Sequence, residues 1–300
     1  MEQFIKELNN IKEDKTSGSF QLVLKGLYAF LQFLKRGKDN NDRLDRWNKG
    51  VKLFLELRPS MSIFSQSIIE LYGRVSPFLL NNEWEKVFLV IEQYYEELNN
   101  SIKYIVDGIK SYLDKIEIKK VVTISWSSTV FSILKELRPE LVIVSESRPN
   151  MEGRITAIRL AESDIKVSFF VDSVLPSLVK GADFVIIGAD TLYPDGSIVN
   201  KIGSFSLALS AKYFNIPFYV ASHTLKLKLK EEKDDNIEEY HSIDEVWNIT
   251  DKNIKVFNPY FEKVPSELIT CYFTEKGYLS KDDLLAISNK RREIMAPLNL

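Results

Sequence analysis

The sequence predicts an α/β protein in which a helical N-terminal domain precedes a domain built on a mainly parallel β-sheet. Apolar residues recur every three or four positions through the first third of the chain, which is the spacing of amphipathic helices. After that, short apolar runs rich in β-branched and aromatic residues alternate with segments of helical spacing, as in βαβ units. We place the boundary after residue 117, which gives domains of 1–117 and 118–300.

The N-terminal domain contains two stretches with a helical pattern. Between residues 87 and 113 a continuous apolar stripe predicts one long amphipathic helix, or two helices end to end. The polar run at 38–43 predicts a loop. The earlier stretch, which follows turn and capping residues at 14–19, has one face formed by Leu22, Leu27, Tyr28, Leu31 and Leu34.

Five apolar runs predict the strands of the sheet. They are nearly continuous, as expected of parallel strands buried on both faces. In such sheets ligands bind beyond the carboxyl ends of the strands, so the residues that follow each run are the candidates for function. The runs are 120–125, 141–145, 167–171, 184–188 and 217–221.

Composition excludes several classes of protein. The formal net charge of the 300 residues is -2, so no overall field attracts nucleic acid, and we expect no direct nucleic-acid binding. The single cysteine, Cys271, cannot form an internal disulfide or a cysteine-cluster metal site, and it fits a reducing compartment. A charged N-terminus and the lack of an apolar run of about 18 residues predict a cytoplasmic protein without a membrane span. We expect neither a metal nor a cofactor.

Three segments that follow predicted strands carry groups suited to an anion. Two serines open the helix after the first strand, where free backbone N–H groups bind anions. Two arginines follow the second strand and offer paired donors to phosphate. A lysine and a glycine precede a later helix. Helix capping and surface solvation are the alternative explanations for the serines and the arginines. The candidate ligand-binding residues are Ser127, Ser128, Arg148, Gly153, Arg154, Asn200, Lys201 and Gly203.

An acid and a histidine also follow predicted strands. Asp190 comes after the run at 184–188, where it can act as a general base or orient a sugar hydroxyl. His223 follows the run at 217–221 and either lines the same pocket or is an ordinary loop residue. Cys271 lies within an apolar run, which indicates a buried side chain.

Several motifs resemble those of a known superfamily. In order and spacing, SESRPNMEGRITA, FFVDS, VIIGADTLYPDGSIVNKIGS and IPFYVA resemble the α, β and δ subunits of translation initiation factor 2B. Methylthioribose-1-phosphate isomerase and ribose-1,5-bisphosphate isomerase belong to the same superfamily. NPYFEKVPSELITCYFTEKG, LRPSMS (57–62) and DKTSGS (14–19) resemble further motifs of it. The resemblance implies a Rossmann-like α/β domain with a phospho-ligand pocket, and a homodimer.

The resemblance also implies which residues the isomerases use. Their aspartate lies in a Gly-Ala-Asp motif, which corresponds to Asp190. Their cysteine lies in a Thr-His-Cys-like motif, where this chain has Ser125, and Ile124 replaces the histidine. A serine is a much poorer acid or nucleophile than a cysteine near neutral pH unless a base activates it. The sequence therefore favours binding without turnover.

Three hypotheses follow. The leading one is a regulatory protein related to initiation factor 2B that binds a phosphorylated sugar or nucleotide and contacts a subunit of translation initiation factor 2. The alternative is an aldose–ketose isomerase of sugar phosphates, similar to ribose-1,5-bisphosphate isomerase, that uses Asp190 with Ser125. The third is a sensor of phosphorylated ligands unrelated to translation.

Overall fold

A computed structural model describes residues 2–14, 19–57, 62–229, 241–249, 251 and 253–295. The motif residues 15–18 and 58–61 lie outside this part of the chain. The helices are α1 Glu2–Glu13, α2 Ser19–Lys35, α3 Asn40–Leu55, α4 Ser62–Leu80, α5 Trp84–Asn99, α6 Ser101–Tyr112, α7 Ser128–Leu137, α8 Gly153–Ala161, α9 Ser204–Phe214 and α10 Lys281–Met295. The strands are β1 Lys120–Thr123, β2 Leu141–Ser145, β3 Val167–Phe170, β4 Phe184–Ile187, β5 Thr191–Leu192, β6 Ile198–Lys201, β7 Phe218–Ala221, β8 Phe261–Val264, β9 Cys271–Thr274 and β10 Gly277–Leu279.

The described residues form two compact units. The first comprises Met1–Ser101, Leu225–Leu229 and Ala286–Leu300, and the second comprises Ile102–Thr224 and Lys230–Leu285, in each case within the described ranges. The predicted boundary at residue 117 remains a prediction. These units differ from it because the apolar face of α6, including Ile105 and Ile109, packs into the core of the sheet.

The first unit is helical, as predicted. Helix α2 buries Leu22, Leu27 and Leu34, whereas Tyr28 on the same helix is 54% exposed. The predicted loop at 38–43 is shorter than expected because α3 already begins at Asn40. The Asp39 carboxylate accepts a hydrogen bond from the backbone N–H of Asp42 and so caps that helix. The stripe at 87–113 forms two helices end to end, α5 and α6.

The second unit confirms the predicted α/β fold. Its main sheet has seven strands in the order β10-β9-β7-β4-β1-β2-β3. All neighbours are parallel except β10 and β9. Each of the five predicted runs forms a strand of this sheet. None of the helices in the described ranges combines the length and hydrophobicity needed to cross a membrane.

A small antiparallel sheet, β5-β6-β8, was not predicted. Its strand β6 contains Asn200 and Lys201, which the sequence pattern placed in a loop leading into a helix. In the register with β8, Lys201 lies opposite Phe261 and Asn200 opposite Glu262. This pairing joins the C-terminal NPYFE segment to the candidate ligand-binding residues.

The strand order reverses between β1 and β4. From β1 the chain continues to β2 and β3 on one side, whereas β4, β7 and β9 lie on the other. At such a switch point the loops that follow the two central strands diverge and leave a crevice, which is where α/β sheets bind ligands. The segments after Thr123 and after Ile187 therefore form the centre of the candidate site.

Candidate functional site

The loops after β1 and β4 meet at the switch point. Ser127 caps α7, since its hydroxyl accepts a hydrogen bond from the N–H of Val130 at 3.3 Å. A Cβ atom on Gly188 would lie only 2.9 Å from Ser127 Oγ, so the loop after β4 lies against the start of α7. Ser128 and Asp190 are both exposed at this edge. The loop that leads from Gly188 to Asp190 therefore begins beside the N-terminus of α7, where the anion site is expected.

The backbone of Ser125 is fixed by the neighbouring segment. Its φ is 64°, which is uncommon for a residue other than glycine. Its N–H donates to Ser147 Oγ at 2.8 Å, and its carbonyl oxygen accepts from Thr156 Oγ1 at 2.6 Å. The position that the resemblance aligns with a cysteine is therefore held in place between β2 and α8.

The loop between β2 and α8 is shaped by one carboxylate and one glycine. Asp172 accepts hydrogen bonds from the backbone N–H groups of Ser147 and Arg148, at 2.8 and 2.7 Å. Gly153 begins α8, and a Cβ atom there would lie 1.7 Å from the carbonyl oxygen of Ser145. Position 153 thus requires a glycine because the first turn of α8 packs closely against the backbone at the end of β2.

The two predicted arginines lie on this loop and helix. Arg148 is exposed, and its Nη2 donates to the carbonyl oxygen of Glu245 at 2.9 Å. Arg154 lies in the first turn of α8 and is also exposed. A guanidinium carries five N–H donors, so one bond to a carbonyl leaves Arg148 with donors for a phosphate.

Lys201 is buried, with 3% of its side chain exposed. Its Nζ lies 3.0 Å from Glu152 Oε1 and 4.3 Å from the centre of the Tyr260 ring. Asn200, also buried, donates through its amide nitrogen to the Gly188 carbonyl at 3.2 Å and accepts from Ser204 Oγ at 2.9 Å. The lysine charge is therefore paired within the protein, and the asparagine supports the loop after β4.

Gly203 precedes α9 with a φ of 102°, as a residue in the left-handed region. Its N–H donates to Glu262 Oε1 at 2.6 Å, and the N–H of Phe205 donates to the same oxygen at 2.8 Å. Sequence reasoning placed a ligand at this helix N-terminus. In the structure an internal carboxylate already occupies those donors, so a phosphate would have to displace Glu262 to bind there.

Tyr260 connects these groups, although sequence reasoning gave it no role. Its hydroxyl donates to Glu245 Oε2 at 2.5 Å and lies 2.8 Å from Asn150 Oδ1. The ring of His241 stacks on it with a centroid distance of 3.5 Å. Burial, followed by the bond to Glu245, raises the pKa of Tyr260 to about 12. The same hydroxyl lowers the pKa of the Glu245 carboxyl.

The position of Tyr260 beside Lys201 follows from the pairing of β6 with β8, so it can be predicted only when the register of these strands is known. Tyr260 directly precedes β8, and its carbonyl oxygen accepts from the N–H of Ile202 at 2.9 Å. Since β6 was not predicted, nothing in the sequence placed Tyr260 beside Lys201. Glu152 stands next to the predicted residue Gly153, but it was not predicted as part of the site because its ion-pair partner, Lys201, lies 49 positions away in the sequence.

The histidine and the cysteine are both buried in the second unit. His223 is buried, with Nδ1 3.6 Å from Glu275 Oε2. Cys271 belongs to the hydrophobic core around β1 and β4, and burial raises the pKa of its thiol to about 12. Its predicted burial is confirmed. Among the described side chains, no group of three or more metal-binding residues is present.

The comparisons with known proteins agree with this fold. The model of the initiation factor 2 subunit family matches residues 15–281. A Pyrococcus furiosus protein named as eIF-2B subunit 2-like is 31% identical over 76% of this chain and 81% of its own length. Methylthioribose-1-phosphate isomerase of Geobacillus kaustophilus is 40% identical over 50% of this chain, and the match spans only 45% of the isomerase.

A solved structure shows the same overall fold. The translation initiation factor eIF-2B of Pyrococcus horikoshii OT3 superimposes with a TM-score of 0.70 at 24% identity. The superposition covers 93% of this chain and 97% of the other. These comparisons confirm the resemblance drawn from the motifs between Ser145 and Val220.

Replacing Gly153 by alanine tests the close packing at the start of α8. The added Cβ meets the Ser145 carbonyl oxygen, so Gly153→Ala should lower the free energy of unfolding by about 1–3 kcal/mol. The matched control is Gly108→Ala in α6, where the nearest atom to a new Cβ is 3.9 Å away. That change should instead raise stability by about 0.5–1 kcal/mol. Urea denaturation followed by circular dichroism measures both. Equal stability of the two variants would contradict this account.

Proposed function

Because the chain belongs to the initiation factor 2 subunit family, we propose that it binds a phosphorylated sugar or nucleotide at the carboxyl-terminal edge of its sheet and acts as a regulator. The family includes both eIF-2B-like proteins and sugar-phosphate isomerases. The α7 N-terminus and the guanidinium groups of Arg148 and Arg154 supply the donors for phosphate. Asp190 orients a sugar hydroxyl.

The position of the Cys271 thiol is the observation that supports binding of the ligand without its conversion. Cys271 is the one cysteine of the sequence, and it lies in the core with a raised pKa. Ser125 stands where the family resemblance places the cysteine of the isomerases. Its backbone is held by Ser147 and Thr156. Because the sequence has no second cysteine, no thiol is present at this edge to transfer a proton.

A translation partner is part of the proposal. The Pyrococcus furiosus relative, which matches over three quarters of this chain, is named for initiation factor 2B. We propose a subunit of translation initiation factor 2 as the partner and the cytoplasm as the location. A sensor of phosphorylated ligands that acts outside translation would use the same site, and pull-down with purified initiation factor 2 distinguishes the two.

Removing Arg148 tests the ligand site. Because a hydrogen bond to a charged group contributes roughly 1.5–3 kcal/mol, Arg148→Ala should weaken binding about 10- to 150-fold. Calorimetry with ribose 5-phosphate, ribose 1,5-bisphosphate, methylthioribose 1-phosphate and AMP measures this. The control is Arg159→Ala, which removes an exposed arginine from α8, the helix that follows the Arg148 loop. The proposal fails if none of these compounds binds below millimolar, or if Arg148→Ala lowers the melting temperature but leaves affinity unchanged.

The second candidate is an aldose–ketose isomerase of sugar phosphates. The 40% identity to a methylthioribose-1-phosphate isomerase over half of this chain favours it. Such a reaction moves a proton between adjacent carbons, which requires an acid or base such as Asp190 next to the substrate. Asp190 is exposed at the end of β4, where a substrate could reach it.

Turnover separates the two candidates. We expect no enzyme-like conversion of ribose 1,5-bisphosphate or methylthioribose 1-phosphate when purified protein is followed by NMR, because the thiol is missing from the edge. Rapid conversion that falls about 10²- to 10⁴-fold in Asp190→Asn would establish the isomerase. Ser125→Cys is the informative companion, since a gain of activity there would show that the site lacks only the thiol.

We also propose that the protein is a homodimer. The second unit exposes large apolar side chains on α8, on the edge strand β3 and at the residue that follows β3. They are Ile155, Ile158, Phe169 and Val171, each at least 44% exposed. Burying such residues against a second copy removes apolar surface from water.

Light scattering measures the assembly. The mass should be about twice the 34.7 kDa of one chain, and Ile158→Asp should reduce it to that of the monomer. The control is Ile116→Asp, an equally exposed isoleucine outside α8 and β3. A monomer mass for the unmodified protein at every concentration would rule out the dimer.

A further inference from the structure

Residues 241–247 form a short exposed segment that lies on the candidate site, here called the edge strap. It contains one turn of 3₁₀ helix, Ile243–Glu245. The strap is attached largely through two residues of the C-terminal motif. The ring of His241 stacks on Tyr260, and the N–H of His241 donates to the carbonyl oxygen of Asn258 at 3.1 Å.

Glu245 makes the strap's closest contacts with the site. Its carboxylate accepts from the Tyr260 hydroxyl at 2.5 Å and from Asn258 Nδ2 at 2.8 Å. Its carbonyl oxygen accepts from Arg148 Nη2 at 2.9 Å. Two donors that a phosphate ligand could use, on Tyr260 and Arg148, are thus directed at one strap residue.

The chemistry of Glu245 matches that of the expected ligand. A carboxylate and a phosphate are both anions that accept hydrogen bonds and donate none when ionised. The bond from Tyr260 favours the ionised form of Glu245, so the negative charge is present in the folded protein. The Glu245 carboxylate also lies in the field of Lys201, whose ammonium group contacts the Tyr260 ring.

We propose that Glu245 is an internal substitute for the ligand's phosphate, and that binding of a phosphorylated ligand displaces the edge strap. This inference rests on the proposed function and adds its regulation. The strap residues from Ser242 to Trp247 are exposed, so their release gives up hydrogen bonds to Asn258, Tyr260 and Arg148 rather than buried side-chain packing. Displacement exchanges one anion for another, so an anion lies beside the Tyr260 hydroxyl and near Lys201 in both states.

The test compares Glu245→Ala with a neighbouring acid. Calorimetry with inorganic phosphate and with ribose 5-phosphate should show about ten-fold or tighter binding to Glu245→Ala, because the internal competitor is gone. The control is Asp244→Ala, which removes the same charge one position earlier, where the carboxylate contacts Ser242 instead of Tyr260. The control should bind like the unmodified protein. Equal tightening in both variants would mean a general charge effect and would overturn the inference.

A second measurement needs no ligand. In Glu245→Ala the backbone N–H of His241 should exchange faster with deuterium, since the strap has lost its bond to Tyr260. Trp247 provides an optical signal, so the change in tryptophan emission on phosphate binding should be smaller in Trp247→Phe, which keeps Trp126 beside Ser127, than in the unmodified protein. The inference would be overturned if the exchange rate of His241 were unchanged in Glu245→Ala. It would also be overturned if that rate rose without a gain in affinity for phosphate.

The outcomes separate this inference from the function on which it rests. If the unmodified protein binds ribose 5-phosphate and Glu245→Ala binds it no better, the strap is not a competitor but the ligand site stands. If neither protein binds any phosphorylated compound, both ideas fail. Arg148 contacts the strap as well as the expected ligand. Its contribution to ligand affinity is therefore measured in the Glu245→Ala variant. There, adding Arg148→Ala should reverse the gain in affinity.

Discussion

The buried ammonium group of Lys201 organises the carboxyl-terminal edge of the sheet. A charge with so little exposure is stable only when it is compensated, and Glu152 and the Tyr260 ring supply that compensation. Glu152 can do so because Gly153 lets α8 begin against the end of β2. Tyr260 can do so because β8 pairs with β6. The ion pair thus joins segments from both sheets of the second unit.

Several of the predicted binding groups already have hydrogen-bond or ion-pair partners within the protein. Lys201 has Glu152, the N–H of Gly203 has Glu262, and Arg148 has a carbonyl oxygen. Each partner is an oxygen acceptor, as a phosphate oxygen would be. The edge therefore has the donors of an anion site and is occupied by its own acceptors, so affinity for a ligand is set by the difference between the two sets of bonds.

The fold was largely predictable from the sequence, whereas the contacts within the site were not. Buried parallel strands such as β2 and β4 appear as uninterrupted apolar runs, which makes them visible. Strand β6 is buried yet ends in Asn200 and Lys201, so neither continuous hydrophobicity nor alternation marks it. The partnership of Lys201 with Glu152 and Tyr260 depends on strand register, and a single sequence does not give register when one of the strands goes unrecognised.

The β3 edge of the main sheet has a consequence for the newly synthesised protein. On its outer side β3 pairs with no other strand in the described part of the chain, and Phe169 and Val171 are exposed there. An open edge with apolar side chains accepts any extended chain that offers backbone hydrogen bonds, including one from an incompletely folded copy. If the protein dimerises as proposed, a newly synthesised protomer is therefore most prone to aggregate in the interval before a second copy covers this edge. That interval shortens as the concentration of folded protomers rises.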